Sequence, residues 1–236
     1  MAFENDPIGF AINDFVEKNE VPDIIVHSDL CDDDLMPVPY LFRTYDNMPP
    51  IEKMALDLCH GKVLDIGAGA GCHSIHLQNK GLKVTSIDSS KGSVDYLLSK
   101  NINAKHIDFL SFKEKEFDTL LLLMNGIGIA QSLNQLPIFL SHAKQLLNQT
   151  GQILFDSTDI AYMYIDDEGA KWMDLASEYY GEMQFQMDYK NVKTDWFPWL
   201  YIDFKTLSKI AEKTGFKSEM ILNSENDQYL AKLTLK

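Results

Sequence analysis

The sequence predicts an α/β fold built on a doubly wound, mostly parallel sheet. From about residue 50 onward, short apolar runs alternate with helical stretches, and a glycine-rich turn joins the first run to a helix. Such βαβ units form parallel sheets with helices on both faces, because their crossovers are right-handed. A chain of 236 residues is long enough for one large domain with a deep core.

The elements of the sheet are expected between residues 48 and 155. The sequence predicts helices at 48–60, 70–80, 91–100 and 135–148, and strands at 63–66, 83–87, 104–107, 117–124 and 152–155. Gly61 and Gly81 are the expected helix ends, since glycine readily adopts the left-handed conformation that follows a helix.

The pattern changes after Asp156. Residues 157–203 are rich in aromatic side chains and alternate polar with apolar residues, as in EMQFQMDY, which predicts an insertion with two antiparallel strands. A helix is expected at 204–214, and two strands at 217–223 and 229–235. Asn226 and Asp227 favour a turn between these strands, so the chain is expected to finish in an antiparallel hairpin.

Composition and charge disfavour several classes of function. The net charge is −14, and the excess acid lies in residues 1–60, with 13 acidic and 3 basic residues, and in 156–203, with 11 and 3. Such a surface repels phosphate backbones, so nucleic acid is not an expected partner. Either the acidity only keeps the protein soluble, or it attracts a cationic substrate such as an amine.

We expect a cytoplasmic protein without membrane association, because no signal-like start or long apolar run is evident. The three cysteines lack metal-ligand spacing.

The turn GAGAG at 67–71 indicates a ligand site. Glycines between a strand and a helix let the backbone approach a ligand and direct helix N-terminal amides at it. A dinucleotide fingerprint would place its third glycine at Cys72, so an NAD-dependent oxidoreductase is disfavoured. Asp65 would repel a pyrophosphate but would accept hydrogen bonds from an ammonium group. Gly67, Ala68 and Gly69 are therefore expected to contact a zwitterionic or cationic ligand.

Five motifs, in order, carry a family resemblance. They are VLDIGAGAG at 63–71, TSID at 85–88, HIDF at 106–109, FDTLLLLMNG at 117–126 and GQILFD at 151–156. Together they resemble the class I S-adenosylmethionine-dependent methyltransferases. The resemblance implies a seven-stranded Rossmann-like sheet with an antiparallel last strand. It also implies S-adenosylmethionine across the carboxyl ends of the first strands, with S-adenosylhomocysteine as the product. The methyltransferase domain is then expected at 48–236, with the acidic segment 1–47 as a cap over the cofactor site.

The matched positions correspond to parts of the cofactor. Asp88, at the end of the second strand, is expected at the ribose hydroxyls, with a helix cap as the alternative. Ser89, directly after it, is also expected to bind the cofactor. The resemblance places the exocyclic amine of adenine at Asp108, with a plain turn residue as the alternative. It also implies that Phe109 offers a backbone amide or a ring face.

The methionine end is expected beside two other features. Asn125 and Gly126 follow the fourth strand next to the switch point of the sheet, although they can equally form a plain turn. Arg43 is the only arginine in the chain, and a guanidinium can bind a carboxylate through two hydrogen bonds. We expect it to pair with the methionine carboxylate, with a surface salt bridge as the alternative.

Methyl transfer requires mainly an aligned acceptor, because a sulfonium methyl group is already activated. A base helps if the acceptor is a protonated amine or a hydroxyl. The candidate catalytic residues are His73, Asp156, Asp159, Tyr162 and Tyr164, and none stands out. His73 follows the glycine turn, where a helix N-terminus is expected to lower its pKa.

The insertion is expected to select a small-molecule acceptor. Its aromatic side chains can enclose a cation or a flat ring, pack as an ordinary strand face, or form a homodimer contact centred on residues 196–199. They are Tyr162, Tyr164, Trp172, Tyr179, Tyr180, Phe185, Tyr189, Trp196, Phe197 and Trp199. The alternative to an enzyme is a non-catalytic protein of the same fold that binds the cofactor or a partner.

Overall fold

The computed structural model describes residues 4–164, 179–224 and 226–236, and these ranges hold six α-helices and twelve strands in two sheets. The helices are α1 (Pro7–Lys18), α2 (Pro50–Leu58), α3 (Cys72–Asn79), α4 (Lys91–Ser99), α5 (Leu136–Leu146) and α6 (Phe204–Lys213). The strands are β1 (Ile24–Ser28), β2 (Asp34–Met36), β3 (Lys62–Ile66), β4 (Lys83–Asp88), β5 (Asn103–His106), β6 (Phe117–Leu122), β7 (Leu147–Thr158), β8 (Glu182–Tyr189), β9 (Val192–Lys193), β10 (Phe197–Leu200), β11 (Phe216–Asn223) and β12 (Gln228–Leu235).

The larger sheet has seven strands in the order β11-β12-β7-β6-β3-β4-β5. Strands β3 to β7 run parallel, whereas β12 is antiparallel to both β7 and β11. This arrangement confirms the predicted Rossmann-like fold and its C-terminal hairpin. Leu120, Leu121 and Leu122 of β6 are fully buried, because the sheet is covered on both faces. The carboxyl ends of β3, β4, β6 and β7 consequently meet along one edge.

Several element ends differ from the sequence prediction. The strand expected at 117–124 stops at Leu122, since Met124 and Asn125 both adopt positive φ angles, 66° and 54°. The strand expected at 152–155 is longer and runs from Leu147 to Thr158, immediately after α5. Helix α2 begins at Pro50 rather than at residue 48, because proline favours the first helical position.

The second sheet joins the two acidic segments of the chain. Strand β8 pairs with β10 and β9, as the alternating pattern of the insertion predicted, and it also pairs with β1 of the N-terminal segment. The order is β10-β8-β1-β2, with β9 beside β8. The sequence analysis missed this long-range pairing and the two N-terminal strands.

Helix α1 fixes the N-terminal segment to the larger sheet. The two oxygens of Asp6 accept hydrogen bonds from the amides of Gly9 and Gly92, at 2.8 and 2.9 Å. A Cβ on either glycine would overlap the backbone of the other, so α1 and α4 cross at close range. The segment thereby reaches the helix that follows the predicted ribose site.

No helix in the described ranges is both long enough and apolar enough to span a membrane.

Candidate active site

The glycine turn follows the carboxyl end of β3. Gly67, Gly69 and Gly71 have φ angles of 74°, 54° and 76°, which residues with a side chain rarely adopt. The amides of Gly67 and Ala68 both donate to the carbonyl of Ile87, so the turn is tied to β4. A Cβ added at Gly69 would meet no atom within 4 Å. The turn therefore borders open space that can receive a ligand.

Asp88 ends β4 and joins the glycine turn to α4. Its Oδ2 accepts a hydrogen bond from the Gly69 amide at 2.8 Å, and its Oδ1 accepts one from the Ser90 amide at 2.7 Å. Burial raises the pKa of this carboxyl to about 6. Ser90 caps α4 by accepting from the Ser93 amide, and Ser89 is exposed beside it. The helix-cap alternative thus belongs to Ser90 rather than to Asp88.

Asp65 is buried in β3, with 2% of its surface exposed. Its Oδ2 accepts a hydrogen bond from the Ser74 hydroxyl at 2.5 Å, and Ser74 also contacts the Ser86 hydroxyl at 2.6 Å. Burial raises the pKa of the Asp65 carboxyl, although the charge of His73 opposes this effect. Asp65 is therefore held beneath the first turn of α3, behind the glycine turn.

Arg43 forms a buried ion pair with Glu52 of α2, and both side chains are 4% exposed. Its Nη2 donates to both oxygens of Glu52 at 2.7 Å, and Nε donates to Oε2 at 3.1 Å. Nη1 donates to the carbonyl of Tyr40, whose ring lies 4.0 Å from the guanidinium carbon. The alternative of a salt bridge to a nearby acid is therefore confirmed, although the pair lies inside the protein and not at its surface. The pairing with a methionine carboxylate stays a prediction.

His73 shares the carboxylate of Glu52, since its Nε2 lies 2.9 Å from Oε2. Burial opposes a charge on the imidazole, but Cys72, Glu52 and Asp65 favour it and raise the pKa of His73 to about 10. The expected lowering by the helix N-terminus is wrong, because nearby acidic groups outweigh the helix dipole. A histidine that is protonated at neutral pH is a poor candidate for a general base.

Asp108 and Phe109 follow β5. Asp108 is exposed and accepts a hydrogen bond from the Leu110 amide at 2.8 Å. The ring of Phe109 is buried and packs on Phe139, with 4.4 Å between ring centroids, and on the edge of His142. Because the ring belongs to the core, the expected ring face is not offered to a ligand, and the backbone amide is the remaining alternative. Both residues line a small cavity beside Gly126–Ala130.

Asn125 occupies a constrained turn after β6. Met124 and Asn125 are consecutive residues other than glycine, and both adopt positive φ angles. This conformation costs free energy, so contacts with the surrounding residues must stabilise it. Asp156, at 1% exposure, accepts the Asn125 amide with both oxygens, at 3.0 and 2.9 Å. Thr158 donates to the Asn125 side chain, and Gln228 donates to Asp156 at 2.7 Å. Burial raises the pKa of the Asp156 carboxyl to about 6.

The remaining catalytic candidates lie in the insertion, directly after β7. Tyr164 donates to the carbonyl of Tyr180, and Tyr180 donates to Asp159 at 2.6 Å. Burial raises the pKa of the Tyr164 phenol, so it stays protonated at neutral pH. Tyr162 is more than half exposed. Of His73, Asp156 and Tyr164, only Asp156 has lost its proton near pH 7 and can accept one from a substrate.

The inner face of the second sheet carries aromatic side chains toward the larger sheet. Phe185 and Phe197 are cross-strand partners, and Phe197 contacts the edge of Trp199. The indole of Trp199 lies against Gly128, where an added Cβ would overlap it. Trp196 is the exposed member of residues 196–199, and the other three are half-buried. The homodimer contact stays a prediction. Trp172 lies outside the described residues.

Sequence reasoning missed four contributors to this site. No local motif marks Glu52, Thr158, Gln228 or the close approach of Trp199 to Gly128. Glu52 contacts Arg43 nine residues before it, and the partners of the other three lie more than 30 positions away in the chain. In the described ranges, no group of three His, Cys, Asp or Glu side chains could hold a metal ion.

Comparison with known proteins identifies the family. A model described as "Methyltransferase domain" matches residues 41–219. A SAM-dependent methyltransferase from Bacteroides fragilis, solved in complex with S-adenosyl-L-homocysteine, is 42% identical, with a TM-score of 0.93 over 99% of this chain and 96% of its own. The chain therefore belongs to the methyltransferase domain family, in its class I, S-adenosylmethionine-dependent branch, as the five motifs predicted.

Other relatives are more distant. The cypemycin N-terminal methyltransferase of a Streptomyces species is 31% identical over 105 residues, which are 42% of this chain and 42% of the relative. The chain thus spans about two fifths of the length of the curated relatives it matches. The CcbJ methyltransferase of Streptomyces caelestis is 14% identical, with a TM-score of 0.57 over 81% of this chain and 94% of its own, and shares the fold.

Proposed function

We propose that this protein transfers the methyl group of S-adenosylmethionine to a small-molecule amine. The family supports methyl transfer, and the S-adenosylhomocysteine in the Bacteroides fragilis relative supports the cofactor. Within this chain the observation that carries the proposal is Asp88, whose carboxylate lies at the open glycine turn. Acids at this position of nucleotide-binding sheets accept hydrogen bonds from both ribose hydroxyls.

The rest of the cofactor would extend along the same edge of the sheet. Adenine would lie toward Asp108 and the amide of Phe109, and the methionine end would lie between Asp65 and the turn at Asn125. The open side of Gly69 supports this direction, because the backbone there admits close approach. Arg43 supplies the cation for the methionine carboxylate in this proposal.

The acceptor would lie where three parts of the chain meet. Burial raises the pKa of the Tyr201 phenol to about 12, and the charge of Asp156 adds to the effect. The charge of Asp156 also acts on Tyr40, whose pKa is raised mainly by burial. The end of β7 contacts the insertion directly, because the Ser157 hydroxyl accepts a hydrogen bond from the Ile202 amide at 3.0 Å. The N-terminal segment reaches the same part of the chain, because β1 pairs with β8. We propose that this region, with the aromatic face of the second sheet, receives the acceptor.

An amine is favoured because the region is acidic. Among the described residues, Asp156 is bonded to amide donors and forms no ion pair. A buried carboxylate without a cation attracts an ammonium group, and its raised pKa suits it to accept a proton from that group. The free amine then attacks the methyl carbon as the bond to sulfur breaks. A relative named for N-terminal methylation supports the same acceptor atom.

The test is methyl transfer from methyl-labelled S-adenosylmethionine to a panel of primary and secondary amines, phenols and carboxylates. The proposal predicts turnover with members of the amine group, and S-adenosylhomocysteine should form in equal amount. Turnover confined to phenols or carboxylates would contradict the proposal that the acceptor is an amine. Cofactor binding without turnover of any acceptor would favour the non-catalytic alternative.

We also propose that the protein works in the cytoplasm on an acceptor other than nucleic acid, because its net charge is −14. Residues 1–47 are proposed to cap the cofactor site, since Asp6 of this segment bonds the N-terminus of α4, directly after Asp88. A homodimer through the insertion is proposed with Trp196 as its exposed aromatic contact.

A further inference from the structure

Four aromatic side chains of the insertion form one surface. Phe185 on β8 is its centre, with ring-centroid distances of 6.4 Å to Phe197 and 6.3 Å to Tyr201. Phe197 in turn contacts the edge of Trp199 at 6.2 Å. Aromatic rings in contact have centroids about 4.5–7 Å apart, so the four rings are continuous. This aromatic surface is half-buried at all four positions, so each ring keeps part of its area open.

The aromatic surface faces the larger sheet. Phe185 and Phe197 are cross-strand partners, and Trp199 lies on the same side of β10 as Phe197, because successive side chains of a strand alternate. The indole of Trp199 lies against Gly128, in the turn that follows β6 of the larger sheet. A group that packs on this surface therefore lies between the two sheets.

The middle of this face is less buried than its ends. Met183 and Tyr189 project to the same side of β8 as Phe185, and they are 3% and 0% exposed. Phe185 and Met187, between them, are only half-buried. A strand that is buried at both ends and open in between borders a space that can receive part of a ligand.

Tyr201 joins the aromatic surface to the end of β7. Its amide donates to the carbonyl of Gly181 at 2.7 Å, and the next amide, of Ile202, donates to the Ser157 hydroxyl at 3.0 Å. Ser157 directly follows Asp156, so these hydrogen bonds hold the backbone of Tyr201 beside the proposed base.

The hydroxyl of Tyr201 is available to a ligand. Within residues 4–164, 179–224 and 226–236 it forms no hydrogen bond, although a phenol can both donate and accept. The phenols of Tyr179 and Tyr229, by contrast, donate to Asp203 and to the carbonyl of Ile202. Burial raises the pKa of the Tyr201 phenol to about 12, so its oxygen stays uncharged at neutral pH.

We infer that the acceptor carries its amine on an aromatic group, which packs on Phe185 while the Tyr201 hydroxyl accepts a hydrogen bond from the ammonium group. A flat ring suits this surface, because aromatic pairs gain attraction beyond the area that they bury. The ammonium group then lies between Tyr201 and the end of β7, where Asp156 attracts it. The inference rests on the proposed function and adds the part of the acceptor that does not react.

The test compares amines that differ in the group attached to the aminoethyl chain. Calorimetry with 2-phenylethylamine, 2-cyclohexylethylamine and ethylamine is run on protein saturated with S-adenosylhomocysteine. The first two have the same number of carbon atoms, so the ratio of their affinities isolates the flat ring. We expect 2-phenylethylamine to bind about fivefold more tightly than 2-cyclohexylethylamine, and ethylamine to bind most weakly.

Two variants separate the ring from the hydroxyl. Phe185→Leu keeps an apolar side chain without the ring, and it is expected to abolish the preference for 2-phenylethylamine over 2-cyclohexylethylamine. Tyr201→Phe is expected to weaken the binding of both amines about fivefold and to leave the preference unchanged. If Phe185→Leu does not fold, Phe197→Leu tests the same surface and is expected to reduce the preference.

Matched controls lie in a second aromatic cluster, outside the aromatic surface. Phe15 of α1 and Tyr96 of α4 are half-buried, and both contact Phe42, with 4.7 and 5.3 Å between ring centroids. Phe15→Leu and Tyr96→Phe repeat the two substitutions there and are expected to leave all three affinities unchanged.

The outcomes distinguish the inference from the proposed function. Equal affinities for the phenyl and cyclohexyl amines in wild-type protein, or an unchanged preference in Phe185→Leu, would overturn the inference and leave the proposed function in place. Uncharged 2-phenylethanol that bound as tightly as 2-phenylethylamine would contradict the amine of the proposed function. Wild-type protein that did not bind S-adenosylhomocysteine would overturn both.

Discussion

The contact between Trp199 and Gly128 makes a sharp prediction about how the second sheet is held against the larger one. Gly128→Ala introduces a Cβ that overlaps the indole at Nε1, Cε2 and Cδ1. The φ angle of Gly128 is not in the positive region, so the backbone accepts alanine and the cost is steric. Overpacking of this kind costs about 1–3 kcal/mol. For a chain of this size, that loss lowers Tm by about 2–12 °C.

The assay is a double-mutant cycle measured by urea denaturation. Leucine at position 199 removes the indole ring that the new Cβ would meet, so Gly128→Ala should cost less in a Trp199→Leu background. We expect a coupling free energy of at least about 0.5 kcal/mol. An equal penalty in both backgrounds, or a penalty below about 0.5 kcal/mol in the wild-type background, would refute the proposed contact.

Three further predictions concern the site. The affinity for S-adenosylhomocysteine should fall about tenfold per pH unit below about pH 6, because protonation of Asp88 removes acceptors for the ribose hydroxyls. Asp88→Asn should make this affinity nearly independent of pH. A wild-type affinity that stays constant from pH 7 to 5 would contradict the prediction. Asp156→Asn should lower kcat by about 100-fold or more, because the amide cannot accept a proton, while S-adenosylhomocysteine still binds. Stopped-flow rates of methyl transfer equal to those of the wild type would exclude Asp156 as the base. Arg43→Lys should weaken S-adenosylhomocysteine binding about tenfold, since lysine cannot form the paired hydrogen bonds of a guanidinium. Unchanged affinity in calorimetry would show that Arg43 does not bind the methionine carboxylate.

The sequence was most informative where structure depends on local rules. The glycines at 67, 69 and 71 adopt positive φ, a requirement that restricts the residue type and is therefore visible in the sequence. Asp88 follows its strand at a distance from the turn that βαβ geometry sets. The seven-stranded sheet with an antiparallel last strand followed from the family resemblance and was confirmed.

The sequence was least informative where distant segments meet. The pairing of β1 with β8 joins residues more than 150 positions apart, and the pattern within either strand does not identify its partner. The burial of Arg43 against Glu52 depends on the packing of α2 beside α3, which no local pattern specifies. The pKa of His73 was predicted in the wrong direction because its acidic neighbours come from other elements.

The measurement that tests the central claim most directly is a calorimetric titration of the purified protein with S-adenosylhomocysteine and, in parallel, with NAD. The structure predicts saturable binding of S-adenosylhomocysteine at a single site, lost in Asp88→Ala, and no binding of NAD at the same concentrations. Binding of NAD alone, or of neither ligand, would contradict the assignment of the glycine turn and Asp88 to S-adenosylmethionine.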